Sequence, residues 1–251
     1  MIVKAIKTRK FIPPKDNLWE FLSQNLKSLE EKSIVVVTSK VVGISEGACI
    51  EISKIKKDKL IISEADKYLE REEAPGGLVM HTIKNNMLVP SAGVDESNGD
   101  GFYILWPKDP FESAKRIWEF LRDKFKVKDI GVIITDSRLT PLRQGVVGYA
   151  IGYFGFNPIK DYRGTKDLFG RKFEMETSNI PDSLASAVVL EMGEGRESQP
   201  LALITDVPFI EFIETEFKPM NGDYGLDIDE KKDIFYPFLS SVNWKKGGSG
   251  K

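Results

Sequence analysis

The sequence predicts an α+β fold of mixed sheets with packed helices, neither a Rossmann nor a P-loop domain. Three observations predict it. Strand-like runs come in two kinds: the uninterrupted β-branched "SIVVVTSK", and a hairpin pair, "LVMHTI" and "MLVPS". Helical patterns fall between them without a regular βαβ repeat. No phosphate loop of the usual spacing is present. GxxxxGK[ST] is missing, the terminal "GGSGK" is too short and follows no strand, and "GEGRES" lacks the third glycine of GxGxxG.

Each element follows from local chemistry. Leu18, Leu22, Leu26 and Leu29 mark one face of a helix over 17–30. "SIVVVTSK" (33–40) is short and apolar throughout, the pattern of a strand buried on both faces. Ser63 and Asp66 suggest a capping box ahead of a short charged helix that "APGG" ends. The "KNN" junction fits a hairpin because Asn tolerates positive φ. In "DPFESAKRIWEFLRDKF", Asp109 is a natural N-cap, Pro110 fits the first turn and Glu112 completes a box. Ala114, Ile117, Trp118, Leu121 and Phe125 then form its buried stripe. "DIGVIIT" is a strand ending in Asp136. "GVVGYAIGYFGF" has a period open between helix and strand, but its glycines imply close backbone approach either way. A helix at 183–192 stops at Gly193, and "PLALIT" supplies a further strand. "KKGGSGK" has the composition of a flexible linker.

Composition removes whole classes of function. The formal charge of −2 gives no electrostatic footprint for nucleic acid. No apolar run approaches the roughly 18 residues of a membrane span, and "MIVKAIKTRK" lacks the apolar stretch of a signal peptide. The single cysteine, Cys49, fits a reducing compartment, and the cytoplasm is the expected one. With one cysteine and one histidine, zinc sites and His-dependent nucleophiles are out of reach. His81 reads as a strand residue and Cys49 as a small core residue. Catalysis here must rest on oxygen ligands, basic side chains and backbone amides.

The loops hold such groups. "SAGVDESNGDG" (91–101) resembles a cation loop but fails as an EF-hand. Counted from Asp95, its fifth, sixth and twelfth positions are Gly99, Asp100 and Trp106. Asp95 follows one strand, Asp136 and Ser137 end another, and Glu194 follows a helix in "EMGEG". Magnesium takes a few such oxygen ligands and completes its shell with water and phosphate oxygens. Solvated caps are the plainer reading of the same residues. Arg138 and Arg143 bracket a turn at Pro141, where a guanidinium fork suits phosphate or carboxylate. Lys160, Arg163, Lys166 and Arg171 in "KDYRGTKDLFGRKFE" fit either a solvated basic hairpin or a cradle for an anion.

The motifs "SAGVDESN", "LWPKDPFESA", "GVIITDS" with "GVVGYAIG", "KDYRGTKDLFGR" and "MGEG" occur in the order found in one family. Over roughly 2–207 the chain resembles the γ-glutamyl ligases that add glutamate to the precursor of the deazaflavin coenzyme F-420, some of whose relatives are thought to glutamylate folates. The resemblance implies one ligase unit over 1–246, with room for two intertwined lobes, followed by a tail at 247–251. It implies GTP or ATP as co-substrate, Mg2+ or Mn2+, and transfer of the γ-phosphate to a carboxylate, after which glutamate's amine displaces phosphate. A monovalent cation is compatible with it. By motif, Asp95 and Asp136 would hold one metal, and Ser137 with Glu194 a second. Nucleotide contacts would come from Phe11, Ile12, Ser39, Lys40 and Asn98, and from Met192, Gly193, Gly195, Arg196 and Glu197. Asp136 and Arg143 are the catalytic candidates. The resemblance also implies a homodimer, for which the apolar segment 145–156 is a plausible contact.

Departures qualify the pattern. Ile44 stands in "GISEG" where relatives often carry lysine, so a nucleotide contact is expected to be lost or replaced. "RLTPLR" and "GRESQP" also differ, which shifts the expected acceptor toward folate. A catalytically silent nucleotide- or anion-binding protein of the same fold is the alternative.

Overall fold

The structure, a computed structural model, describes residues 1–214 and 225–248. The chain runs β1 (Ile2–Ile6), α1 (Leu18–Asn25), β2 (Ser33–Thr38), α2 (Ser39–Ser45), β3 (Cys49–Glu51) and α3 (Lys57–Glu64). Short strands follow: β4 (Lys67–Tyr68), β5 (His81–Lys84), β6 (Met87–Pro90) and β7 (Phe102–Ile104). Then come α4 (Pro110–Phe125), β8 (Ile130–Leu139), β9 (Val146–Phe154), β10 (Ile159–Asp161) and β11 (Thr177–Asn179). The chain closes with α5 (Ile180–Met192), β12 (Leu201–Thr205), α6 (Tyr236–Leu239) and β13 (Lys245–Lys246). Mixed sheets and packed helices make this α+β, as expected.

A 5-stranded sheet of order β1-β12-β2-β8-β9 forms the centre. Only β2 and β8 run parallel; the other neighbours are antiparallel. The β-branched run of β2 explains the layering. Val35 and Val37 enter a core shared with α1, α2 and α4, whereas Ile34 and Val36 enter one shared with α5. All four are fully buried, as a strand between two helical layers must be. The glycine-rich segment is β9. A Cβ at Gly148 would meet the Ala185 carbonyl of α5 at 2.5 Å, and one at Gly152 the Pro110 carbonyl of α4 at 2.3 Å. The glycines are the price of helices packed directly on backbone.

A smaller lobe carries the sheet β13-β4-β5-β6, the pair β3-β7 and α3, around a core that includes Leu60, Ile61, Met80 and Tyr103. Its β5-β6 hairpin turns on Asn85 and Asn86 at φ 49° and 59°, as expected of a tight turn.

Several local expectations are corrected. The first helix ends at Asn25, so Leu29 lies beyond it, although Asn17 caps its start. Ser63 and Asp66 form no N-terminal box: α3 precedes them. Ser63 bonds back to the Leu60 carbonyl, and Asp66 accepts the Asn85 amide at 2.7 Å, bracing the hairpin turn. A strand (β4) replaces the start of the expected helix. The strand expected to end at Asp136 continues to Leu139 because β9 goes on pairing with it past a bulge at Ile134/Thr135. The segment 145–156 is mostly interior: Val146 and Val147 are exposed, but Tyr149, Ile151 and Phe156 are buried beneath helices. Gly247 and Gly248, at the head of the expected tail, donate to the Asp66 and Ile62 carbonyls. Residues 249–251 lie outside the described residues.

Candidate functional site

One end of the central sheet collects the loops that matter. The carboxyl ends of the parallel pair deliver Ser39–Lys40 from β2 and Asp136–Ser137 from β8. Between β1 and β2, β12 starts beside Thr38, whose amide donates to the Pro200 carbonyl, so the 194–200 segment lies at the same end. The chain leaving β1 joins it there, with the Thr8 amide donating to Ser198 at 2.8 Å. Ends of parallel strands are where open α/β sheets gather ligand groups, because chain and amides diverge there.

The smaller lobe brings its acidic loop to this end. Asp95 is fixed by backbone bonds both ways with Ile104 of β7. Its carboxylate pairs with Lys40 Nζ at 2.8 Å, and Lys40 also donates to the Ser97 carbonyl at 2.6 Å. The Asp95 carboxylate accepts the Ser97 amide at 2.7 Å, closing a local turn. Asn98, at φ 54°, donates through Nδ2 to the Gly195 carbonyl at 3.1 Å. On the opposite sheet face, Ser137 Oγ donates to Glu194 Oε1 at 2.6 Å. Glu197 accepts the Gly195 amide at 2.8 Å and shapes the turn after Gly193, whose φ of 82° ends α5.

Asp136 is the most constrained acid. Its Oδ2 accepts the indole N–H of buried Trp106, and Oδ1 accepts the Ser137 amide at 2.8 Å. Burial pushes it up to about 6, against those two donors; the charge of Asp95 adds to the rise and Lys40 opposes it. For Asp95 burial also acts upward, but Lys40 and the Ser97 bonds outweigh it and hold the carboxyl below the usual range. Asp95 with Asp136, and Ser137 with Glu194, make two pairs of oxygen donors. Among the described residues no three Asp, Glu, His or Cys side chains converge. That donor set fits a hard divalent cation that uses one or two carboxylates and takes its remaining oxygens from water and phosphate.

The other candidates fall at varying distance from this cluster. Ser39 is buried at the start of α2 and Met192 is buried at the end of α5, while Arg196 is exposed. Phe11 packs edge-on against Phe21, and the Ile12 amide donates to Asp16 at 2.6 Å. Those contacts hold the segment after β1 in place. Arg143 is exposed on the β8–β9 turn. Arg138 sits over Tyr149 at 4.8 Å and 3.5 Å from Asp182. Arg163 pairs with Asp161 on the exposed β10-β11 arm. Ile44 is buried in α2. Sequence reasoning missed Trp106, which spacing could not flag, and did not foresee that the Lys40 side chain pairs with Asp95.

The α+β fold thus carries at its strand ends a cluster of oxygen donors in which Lys40 pairs with Asp95 and no cysteine or histidine takes part. The family described as F420-0:Gamma-glutamyl ligase matches residues 6–206. The coenzyme F420:L-glutamate ligase of Methanopyrus kandleri is 32% identical over 216 aligned positions, 80% of this chain and 85% of that protein. The Methanosarcina barkeri enzyme of the same name is 32% identical over 243, 90% of this chain and 94% of its own length. That of Methanocaldococcus jannaschii is 34% identical over 210, 77% and 83% respectively. The chain belongs to the F420-0:gamma-glutamyl ligase family and is an acid–amino-acid ligase. Among the described residues no helix is long and apolar enough to cross a membrane.

Proposed function

We propose that this ligase joins the amine of L-glutamate to a carboxylate of a deazaflavin coenzyme precursor, at the expense of GTP or ATP. One observation carries the site: Lys40, Asp95, Asn98, Asp136, Ser137 and Glu194, from separate segments, meet at one end of the sheet. The relatives' names support the deazaflavin acceptor over folate, since each is called a coenzyme F420:L-glutamate ligase.

Asp95 with Asp136, and Ser137 with Glu194, would hold Mg2+ or Mn2+. Bound there, the metal ions would offset the negative charge that crowds the site during phosphoryl transfer. Lys40 adds a further positive charge beside Asp95. An acceptor carboxylate oxygen attacks the γ-phosphorus and the nucleoside diphosphate leaves. Glutamate's amine nitrogen then attacks the acyl carbon, phosphate departs, and the nitrogen loses a proton. Asn98 and the Gly193–Glu197 turn would lie along the nucleotide, with Phe11, Ile12 and Ser39 supplying backbone to the same wall. Arg143 would orient a substrate carboxylate. We also assign the working state to a homodimer. Exposed Leu142, Leu168, Phe169 and Met175, on the turn and arm beyond the sheet, supply an apolar contact.

The test is an acceptor screen read by mass: protein, Mn2+ or Mg2+, GTP or ATP, glutamate and each deazaflavin or folate acceptor. Added glutamate on the deazaflavin alone is the expected result. Added glutamate on folate alone would move the assignment to folate. Nucleotide binding with no product on any acceptor would favour a silent binder.

A further inference from the structure

We propose that Trp106 is a positioning residue that fixes Asp95 and Asp136 relative to each other, a role that rests on the metal reading of those acids. The indole N–H donates to Asp136 Oδ2, while Oδ1 takes the Ser137 amide. A carboxylate offers about four lone-pair positions. With each oxygen held once, the carboxylate cannot rotate, and the remaining lone pairs keep one direction. An indole N–H only donates, so it leaves no acceptor to compete for a cation.

The same ring backs the loop that carries Asp95. Gly93 lies against it at φ 70°, and a Cβ there would fall 2.1 Å from the indole nitrogen. Two residues on, Asp95 exchanges backbone bonds with Ile104, just before Trp106 in the chain, at 3.0 and 2.8 Å. Trp106 thus touches Asp136 by its N–H and the Asp95 loop by its edge. From the smaller lobe, Lys84 Nζ sits 5.4 Å from the indole centroid and is itself held by Glu64 at 2.8 Å. Lys84 and Trp106 are both nearly fully buried. A buried cation on the ring face restrains the indole, because its quadrupole attracts the charge. The chain Glu64–Lys84–Trp106–Asp136 links the two lobes at the acids.

Trp106→Phe keeps an aromatic ring and removes the N–H. In the full chain, free Mn2+ is followed by electron paramagnetic resonance, alongside a thermal melt. A melt close to wild type, with Mn2+ affinity reduced about tenfold or more and turnover regained at raised Mn2+, is expected from loss of an orienting partner. A folded variant with wild-type Mn2+ affinity overturns the proposal alone. Wild-type protein that binds no Mn2+ overturns the metal reading, and the proposal with it. Should the variant not fold, wild-type protein with 15N-labelled tryptophan decides. The Trp106 indole signal, assigned by elimination with Trp19→Phe, Trp118→Phe and Trp244→Phe, is expected to shift on Mg2+ addition. If the enzyme binds Mg2+ and that signal does not move, the proposal fails.

Discussion

Asp136 and Asp95 have the same side chain and opposite environments, and their neighbours account for the difference. Asp136 is pushed up by burial, whereas Lys40 and Ser97 hold Asp95 down. Asp136→Asn keeps the shape and removes the charge, so it should abolish both turnover and Mn2+ binding; a variant as active as wild type would take the residue out of the site. Next to it, Thr135 Oγ1 is buried without a partner among the described residues. Thr135→Val should raise stability by roughly 1 kcal/mol, since an unsatisfied buried hydroxyl carries a desolvation cost with no bond in return. A melting temperature that falls instead would mean the hydroxyl has an ordered partner. Asp16 gives a pH test away from the acids. The Arg9 side chain holds its carboxyl below the usual range, against burial, with help from the Ile12 amide. A depressed folded value makes this stabilisation complete above the ordinary aspartate value of about 3.9 and lost as pH falls through the folded one. The wild-type minus Asp16→Asn difference in melting temperature should therefore shrink only below about pH 4; a difference constant down to pH 2 would refute the pairing.

At the scale of elements, what could be read in advance was whatever local chemistry decides. Asp109 accepts the Phe111 and Glu112 amides and starts α4 where expected; Ala114, Ile117, Trp118 and Leu121 of its stripe are buried and Phe125 half-buried. The period of 146–154 was illegible because its glycines answer to tertiary packing. They sit under Ala185 and Pro110, residues far off in sequence. Asp66 misled for a related reason: its carboxylate serves a hairpin amide at Asn85 rather than a helix start. Gly152→Ala would drive a methyl into the Pro110 carbonyl, and overpacking of this kind costs about 1–3 kcal/mol. Melting should fall by roughly 2–4 °C per kcal/mol in a chain of this size. An unchanged melt would show that α4 can withdraw from β9 freely.

At the scale of the whole molecule, the proposed ligands come from both lobes, which explains why the acidic loop specified so little by itself. Motif order carried the family resemblance, but the partners of Asp95 and Asp136 are set by Lys40 and Trp106, which no spacing rule relates to them. The same view exposes what a single chain leaves uncovered. Leu142, Leu168 and Phe169 are almost wholly exposed on the β8–β9 turn and the β10-β11 arm. Exposed apolar surface of this kind is what protein contacts cover, and exposed Arg143 and Arg163 belong to the same turn and arm. A second copy seated there would cover the apolar side chains and bring the arginines into a shared, less solvated surface. Phe169→Asp should then shift the protein from dimer to monomer in sedimentation velocity while the thermal melt of the central sheet persists. If the variant sediments as wild type, the contact lies elsewhere. If it becomes a monomer yet keeps full turnover, the arm serves assembly alone and each chain completes its own site.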